Sequence, residues 1–258
     1  MTLPWLEYPG RWLARYLSRP DRRYVPLATA SAERLVAALR PCDVVLVEGN
    51  SRISTAIKFL TNSTWSHAAL YLGTGPFVGR FADQHVLIEA DLIEGVRLVP
   101  LTLYAQANTR ICRPLHLTPD DQASVIAAAL ARLGHRYDLK NVIDLARYFL
   151  PVPPVPVRWR RRMLALGSGE PTRAICSTFL AQLFQDVRYP ILPRLERRPI
   201  GDPDCNTCYD EVLHIRHHSL FAPRDFDISP YFGIVKPLVD PGFDYRALKW
   251  ADDAHATV

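Results

Sequence analysis

Two distant segments of the chain each carry one residue that is suited to nucleophilic catalysis. Residues 66–73, SHAALYLG, are typical of a buried strand and contain His67, while residues 174–181, AICSTFLA, are typical of an apolar helix with Cys176 in its first turn. The positive end of a helix dipole favours a thiolate over a thiol. A neutral imidazole beside that thiol could accept its proton and return it to a leaving group. The pair therefore predicts a thiol hydrolase or acyltransferase.

Glu89 is the third candidate, at the end of the next strand-like run, residues 85–90. A buried glutamate is costly unless it is paired, and a carboxylate on the strand next to His67 could hold the second ring nitrogen. Taken singly, a buried Cys or His is more often structural, so the combination carries the prediction. If Glu89 only orients His67, Glu89→Gln is expected to fold normally and lose turnover; Asp91 is the alternative partner.

The segments around His67 resemble a known family. PCDVVLVEG, residues 41–49, followed by WSHAALYLG, residues 65–73, is similar to the permuted papain-like hydrolases of the YaeF/YiiX type. These belong to the NlpC-like superfamily, which also contains the lecithin–retinol acyltransferases. The resemblance extends to GHRYD at 134–138 and PRDF at 223–226, and it covers roughly residues 41–237. In permuted members the histidine strand precedes the cysteine helix, as it does here.

The resemblance implies an α+β fold, permuted papain-like and NlpC-like, in which an antiparallel sheet packs against the nucleophile helix. It implies His67 as base, Glu89 as the residue that orients it, and Cys176 as nucleophile. Tyr137, in the family's Tyr-Asp position, would lie near the thiolate. Its hydroxyl could donate to an oxyanion beside the backbone N–H of Cys176, or the ring could simply pack on the sheet. Trp65 and Ser66 flank His67 and are expected to line the cleft.

The hydrophobic pattern predicts one catalytic domain with short extensions. We expect an N-terminal helical extension at 1–40, a catalytic domain at 41–237 with a Pro/Arg-rich insert at 150–170, and a C-terminal tail at 238–258. Periodicity and cap residues predict the following elements. They are a helix at 31–39, a strand at 44–47, a helix capped by Ser51, strands near 67–72, 85–90, 95–100 and 110–115, a helix from Thr118 to Gly134, a helix at 139–149, a polyproline spacer at 151–156 and a basic helix at 158–166.

Composition is that of one globular enzyme domain and disfavours nucleic acid as a partner. The chain has 258 residues, 48% of them hydrophobic, with a formal net charge of +5. Arginines cluster at 158–162 and at 194–198, where a solvated face is the ordinary interpretation and an anionic surface or ligand the alternative. No nucleic-acid motif is present, and the basic runs lack interleaved aromatic residues for base stacking.

The N-terminal residues and the cysteines predict a cytoplasmic protein, with peripheral contact at the inner membrane surface as an alternative. The first residues lack the basic and apolar regions of a signal peptide, and no apolar run approaches the ~20 residues that span a bilayer. The five cysteines are an odd number without disulfide spacing. A short helix at 10–18 places Trp12, Leu13, Tyr16 and Leu17 opposite three arginines. Such a helix could lie in a membrane interface or pack on the protein itself.

The segment Cys205-Asn206-Thr207-Cys208 allows one alternative that involves metal. With His214 and His218 it could form a tetrahedral zinc set, although the spacing is shorter than in zinc fingers and His217 competes for a place. Ordinary loop residues are the favoured interpretation. No metal or cofactor is expected.

The sequence as a whole predicts a cysteine-dependent hydrolase that cleaves an amide or ester through a thioester. Its substrate would be a small molecule, a peptide or an acyl lipid. The alternatives are a phospholipid acyl hydrolase or acyltransferase, which uses the same thioester, and an inactive ligand-binding module. A binding module has no need of all three catalytic residues, which argues against the last alternative. The sequence leaves the choice between amide and ester and the oligomeric state open.

Overall fold

The computed structural model describes residues 30–75, 81, 84–135, 175–199 and 209–237, with the isolated residues 16, 19, 244 and 246. The predictions for the extension before residue 30, for the helix at 139–149 and for the insert at 150–170 fall outside this description, apart from the isolated residues. Tyr137, Cys205 and Cys208 also fall outside it.

The described residues alternate between short helices and the strands of an antiparallel sheet. The strands are β1 (Val44–Val47), β2 (His67–Gly73), β3 (Val86–Asp91), β4 (Gly95–Pro100), β5 (Thr109–Pro114), β6 (Arg194–Pro199), β7 (Tyr209–His214) and β8 (Phe232–Val235). The α-helices are α1 (Ala32–Ala38), α2 (Arg52–Thr61), α3 (Pro119–Ala131), α4 (Ile175–Asp186) and α5 (Pro223–Asp227). Single 3-10 turns cover Leu101–Tyr104 and His218–Leu220.

The first three helices begin where their cap residues predict. The side chains of Ser31, Ser51 and Thr118 each accept a hydrogen bond from the backbone N–H three residues later. Such caps satisfy N–H groups that have no partner within the helix. After α3 the chain turns at Gly134, whose φ of 77° is in the left-handed region that glycine adopts most easily.

Six of the described strands form one sheet, in the order β4-β3-β2-β1-β5-β8, and every neighbouring pair is antiparallel. All four residues of β1, at the middle of this sheet, are buried. Leu46 packs on one face with Leu70 and Ile88, while Val45 packs on the other with Leu35. A strand covered on both faces explains why its sequence is a continuous apolar run.

Helix α4 packs against the sheet, as the sequence predicts for the nucleophile helix. Phe179, Leu180 and Phe184 are fully buried in the core that includes Leu70 and Ile88. The Phe184 ring also lies 5.2 Å from the Phe232 ring of β8, edge to face. This packing fixes the helix, and therefore its first turn, relative to β2 and β3.

A separate two-stranded ribbon, β6–β7, was not predicted. It carries the second arginine cluster, in which Arg197 pairs with Glu211 at 3.5 Å and Arg198 with Glu196 at 3.0 Å. These arginines are exposed, and their carboxylate partners lie on the same ribbon. The contacts fit a solvated, ion-paired surface. None of the helices in the described part of the chain is long and apolar enough to cross a membrane.

Candidate active site

The central strands bring His67 and Glu89 into direct contact. His67 is the first residue of β2, and Glu89 lies on the adjoining β3. The His67 Nε2 and Glu89 Oε2 atoms are 2.8 Å apart, and the Glu89 side chain is 1% exposed. Because a carboxylate only accepts, Nε2 carries the proton in this contact. The Nδ1 atom of His67 is then the nitrogen left for another partner.

Cys176 interacts with the same imidazole ring. It is the second residue of α4 and is 5% exposed, and its sulfur makes a hydrogen bond with His67. Burial by itself would lower the pKa of His67, but the negative charges of a Cys176 thiolate and of Glu89 outweigh it and raise this pKa well above its ordinary value. The arrangement therefore favours the protonated, imidazolium form of His67.

Glu89 receives two further partners that the sequence analysis did not identify. Arg97 lies directly opposite Glu89 on β4, and its Nε and Nη2 atoms are 2.9 and 2.8 Å from Glu89 Oε1. The Tyr104 hydroxyl donates to Oε2, the same oxygen that His67 contacts. Burial opposes the ionised form of Glu89, but His67, Tyr104 and Arg97 prevail and lower its pKa to about 2. Glu89 is thus an ionised acceptor.

One of these two partners could have been found from the sequence. Gly95 marks the turn between β3 and β4, and a tight hairpin there pairs residue 91 with 95 and residue 89 with 97. Tyr104 has no comparable signal, because it lies on the 3-10 turn after β4 and reaches Glu89 through the tertiary fold. Asp91, the alternative partner for His67, instead caps the hairpin turn through the N–H groups of residues 93 and 94.

Trp65 and Ser66 are buried, and their polar atoms have partners within the protein. The Trp65 indole N–H donates to Asp227 at 2.9 Å, and Arg110 binds the other oxygen of the same carboxylate at 2.7 Å. The Ser66 hydroxyl accepts the N–H of Gly49 at 2.9 Å. These contacts support the start of β2. The expectation that these two side chains line the cleft stays a prediction.

The other two described cysteines have the environment of inert core residues. Cys42 and Cys112 are fully buried. Burial, with Asp43 nearby, raises the pKa of Cys42 to about 12, and burial followed by Asp227 raises that of Cys112. Neither thiol will ionise near neutral pH, because a charged sulfur is unfavourable in an apolar core.

The histidines after the Cys-x-x-Cys segment make contacts of their own. His214 lies 2.5 Å from Glu196 across the β6–β7 ribbon, and His217 Nδ1 lies 2.8 Å from the Ser219 hydroxyl. The His218 ring lies 4.0 Å from the His217 ring. Among the residues that the structure describes, no group of three or more His, Cys, Asp and Glu side chains could hold a metal ion.

The described residues include a helix-borne cysteine, a strand-borne histidine earlier in the chain and an antiparallel sheet against which that helix packs, which is the arrangement expected of a permuted papain-like fold. Residues 38–149 match the family described as permuted papain-like amidase enzyme, YaeF/YiiX, C92 family. The match confirms the resemblance seen in the sequence and the predicted α+β fold. The family supports a function of the cysteine-hydrolase type. The matched segment contains His67 and Glu89, while Cys176 lies beyond it.

Among solved structures, the chain is similar to that of the metalloprotein yiiX from Escherichia coli O157:H7. The identity is 15%, with a TM-score of 0.47, over 78% of this chain and 98% of that chain. No curated protein sequence matches the chain.

Proposed function

We propose that this protein is a cysteine-dependent hydrolase that cleaves an amide or ester through a thioester on Cys176. The observation that carries the proposal is the unbroken series of contacts from Cys176 through His67 to Glu89. Each residue has a contact suited to one role. The thiol is at a helix N-terminus, the imidazole touches it, and an ionised carboxylate holds the far nitrogen of that imidazole.

The proposed reaction follows from these contacts. His67 Nδ1 takes the proton of the Cys176 thiol, and the thiolate attacks the substrate carbonyl carbon. The backbone N–H of Cys176 donates to the oxyanion. The imidazolium then gives its proton to the leaving amine or alcohol as the C–N or C–O bond breaks. Water, deprotonated by His67, attacks the thioester and releases the acid and the thiol group.

Glu89 moves no proton in this scheme. Its oxygens accept hydrogen bonds from His67, Tyr104 and Arg97, and its lowered pKa keeps it ionised. Its proposed part is to hold the ring orientation and the Nε2–H form of His67, and to stabilise the imidazolium. The description of the family as amidase favours an amide among the two bond types. Acyl transfer differs only in that an alcohol or amine replaces water in the second step.

The proposal can be tested by intact-mass spectrometry after incubation with a panel of acyl esters and peptides. A transient acyl adduct on Cys176 with its matched leaving group is the expected result. Cys176→Ala should abolish the adduct and turnover, while Cys112→Ala, at a buried cysteine with a raised pKa, should retain both. An adduct that persists in Cys176→Ala would refute the proposal. Ligand binding by folded protein with no adduct and no turnover would favour a binding module.

A further inference from the structure

The carboxylate of Glu89 is held from three directions by donors on separate elements. Two nitrogen atoms of Arg97, on β4, contact Oε1 at 2.8 and 2.9 Å. The Tyr104 hydroxyl, on the 3-10 turn that follows β4, donates to Oε2. His67 Nε2, on β2, contacts the same Oε2 atom at 2.8 Å. A carboxylate has about four lone-pair positions, so this set leaves no oxygen free to swing away from His67.

The position of Arg97 is itself fixed. Besides Glu89, its guanidinium contacts Glu94 at 3.0 Å and Asp91 at 3.6 Å. Its planar fork presents two N–H groups side by side to Oε1, an arrangement that restrains direction as well as distance. Tyr104 fixes the other oxygen, and its ring lies 6.0 Å from the His67 ring. Arg97 and Tyr104 thus restrain the carboxylate that restrains the histidine.

We propose that Tyr104 and Arg97 are positioning residues for the Cys176–His67 pair and act on it through Glu89. This inference rests on the proposed function of Cys176 as the nucleophile. Neither residue needs to touch the substrate. Their effect is to set how much of the Glu89 charge is available to His67 and how tightly the imidazole ring is oriented toward the sulfur.

The sign of the charge effect follows from the groups around His67. Those groups are Cys176 on α4, Glu89 on β3, the Tyr104 hydroxyl on the turn, and Arg97 on β4 behind Glu89. Tyr104 and Arg97 both draw on the negative charge of the carboxylate. Without either donor, Glu89 stabilises the imidazolium more strongly, so the imidazolium persists to higher pH. The same loss lets the carboxylate rotate, which slows reactions that need an aligned ring.

Alkylation of Cys176 measures both effects without a known substrate. Iodoacetamide is neutral and reports the thiolate, whereas iodoacetate is an anion whose reaction is favoured by an adjacent imidazolium. Peptide mass spectrometry gives the rate of each reagent at Cys176 as a function of pH. The rate with iodoacetate divided by the rate with iodoacetamide should fall at the pH where His67 loses its proton. We expect Tyr104→Phe to move that fall upward by about half a pH unit or more and to slow both reagents by about threefold to tenfold.

Arg97 is tested with a conservative pair. Arg97→Gln removes the charge and should move the fall upward, as Tyr104→Phe does. Arg97→Lys keeps the charge but loses the fork, so we expect it to leave the fall near its wild-type pH while slowing both reagents. Restoration of the pH dependence by lysine but not by glutamine is a result that a purely structural role would not give.

The chain contains matched controls for both substitutions. The buried Tyr71 makes its hydroxyl contact, at 2.6 Å, with His85, and Arg113 binds the buried Asp43 at 2.7 and 2.9 Å. Tyr71→Phe and Arg113→Gln should lower the melting temperature without moving the rate ratio. The inference is overturned if the curves of Tyr104→Phe and Arg97→Gln coincide with wild type or move to lower pH.

A failure of the inference about Tyr104 and Arg97 can be distinguished from a failure of the proposed function. If wild-type Cys176 is alkylated no faster than the buried Cys42 and Cys112, or shows no dependence on His67, the nucleophile assignment itself is wrong. If wild type behaves as expected and only the variants are unchanged, the assignment stands and Tyr104 and Arg97 are structural.

Discussion

Replacement of Glu89 by glutamine tests the site more sharply than any other single change. Glutamine has nearly the shape of the protonated glutamic acid but carries no charge. His67 and Arg97 would then lose their shared counter-charge at a position that is 1% exposed. We expect Glu89→Gln to reduce both turnover and stability, whereas the sequence alone predicts a variant that folds normally.

The magnitude follows from the pKa of Glu89. The protein lowers this pKa from 4.5 to about 2, so it favours the ionised form by about 2.5 pH units. At ~1.4 kcal/mol per unit, the charge contributes about 3 kcal/mol to the free energy of unfolding. This value agrees with the ~3–5 kcal/mol expected when one member of a buried ion pair is removed. Turnover should fall about tenfold or more, because His67 loses the group that orients it.

The stability cost should depend on pH with a defined sign. A lowered pKa means that the Glu89 contribution is present above pH 4.5 and is lost as pH falls toward about 2. The raised pKa of His67 means that its contribution is complete below pH 6.5 and is lost as pH rises through the folded-state value. The difference in unfolding free energy between wild type and Glu89→Gln should therefore be largest between about pH 4.5 and 6.5.

Urea unfolding of both proteins across pH 3.5–9 measures this difference, and Asp43→Asn provides the control. Asp43, the residue before β1, is also a buried carboxylate, and the guanidinium of Arg113 binds it. The control should lose stability but keep the alkylation rate of Cys176. The reasoning fails if the cost of Glu89→Gln is the same at every pH, or if Glu89→Gln retains full turnover and alkylation rate.

Three further predictions follow from the same structure. At pH 6.5, iodoacetamide should label Cys176 ahead of the two buried cysteines, and His67→Ala should remove that preference; equal labelling in folded wild type would contradict the assignment. Gly49→Ala should cost about 1–3 kcal/mol in urea unfolding, because the added Cβ would clash with the Ser54 side chain and lie 2.9 Å from the Ser66 hydroxyl oxygen; an unchanged midpoint would show that the loop relaxes freely. For the N-terminal segment, co-sedimentation with anionic vesicles that weakens with salt and with Trp12→Ser would support membrane contact, and no sedimentation at low salt would oppose it.

Local signals made the frame of the fold predictable. Ser31, Ser51 and Thr118 begin their helices because a side-chain oxygen caps backbone N–H groups within the next three residues. The strands were found because their apolar runs must be covered, and a run such as β1 is buried on both faces. His67 and Cys176 could be identified because each is a chemically reactive residue within an otherwise apolar element.

The β6–β7 ribbon escaped prediction because its pattern gives no such signal. Residues 194–198, RLERR, form a strand that is mostly exposed and charged, and its pairing with β7 comes from the hairpin. Hydrophobic periodicity reports burial, so it says little about a strand that buries almost nothing. The arginines that suggested an anionic ligand are placed beside Glu196 and Glu211 by that pairing, which the sequence does not reveal.

The sequence by itself determined which residues could do the chemistry, and the tertiary structure decided how they are held. It supplied a thiol, an imidazole and a carboxylate on elements whose types were readable from local patterns. Only the folded chain placed Tyr104 on Glu89 and turned Trp65 toward Asp227. The reason is that a hydrogen bond between residues far apart in the chain forms only when the donor and acceptor atoms are positioned to within a few tenths of an ångström. Those positions are set by packing across the whole sheet and leave no periodic trace in the sequence.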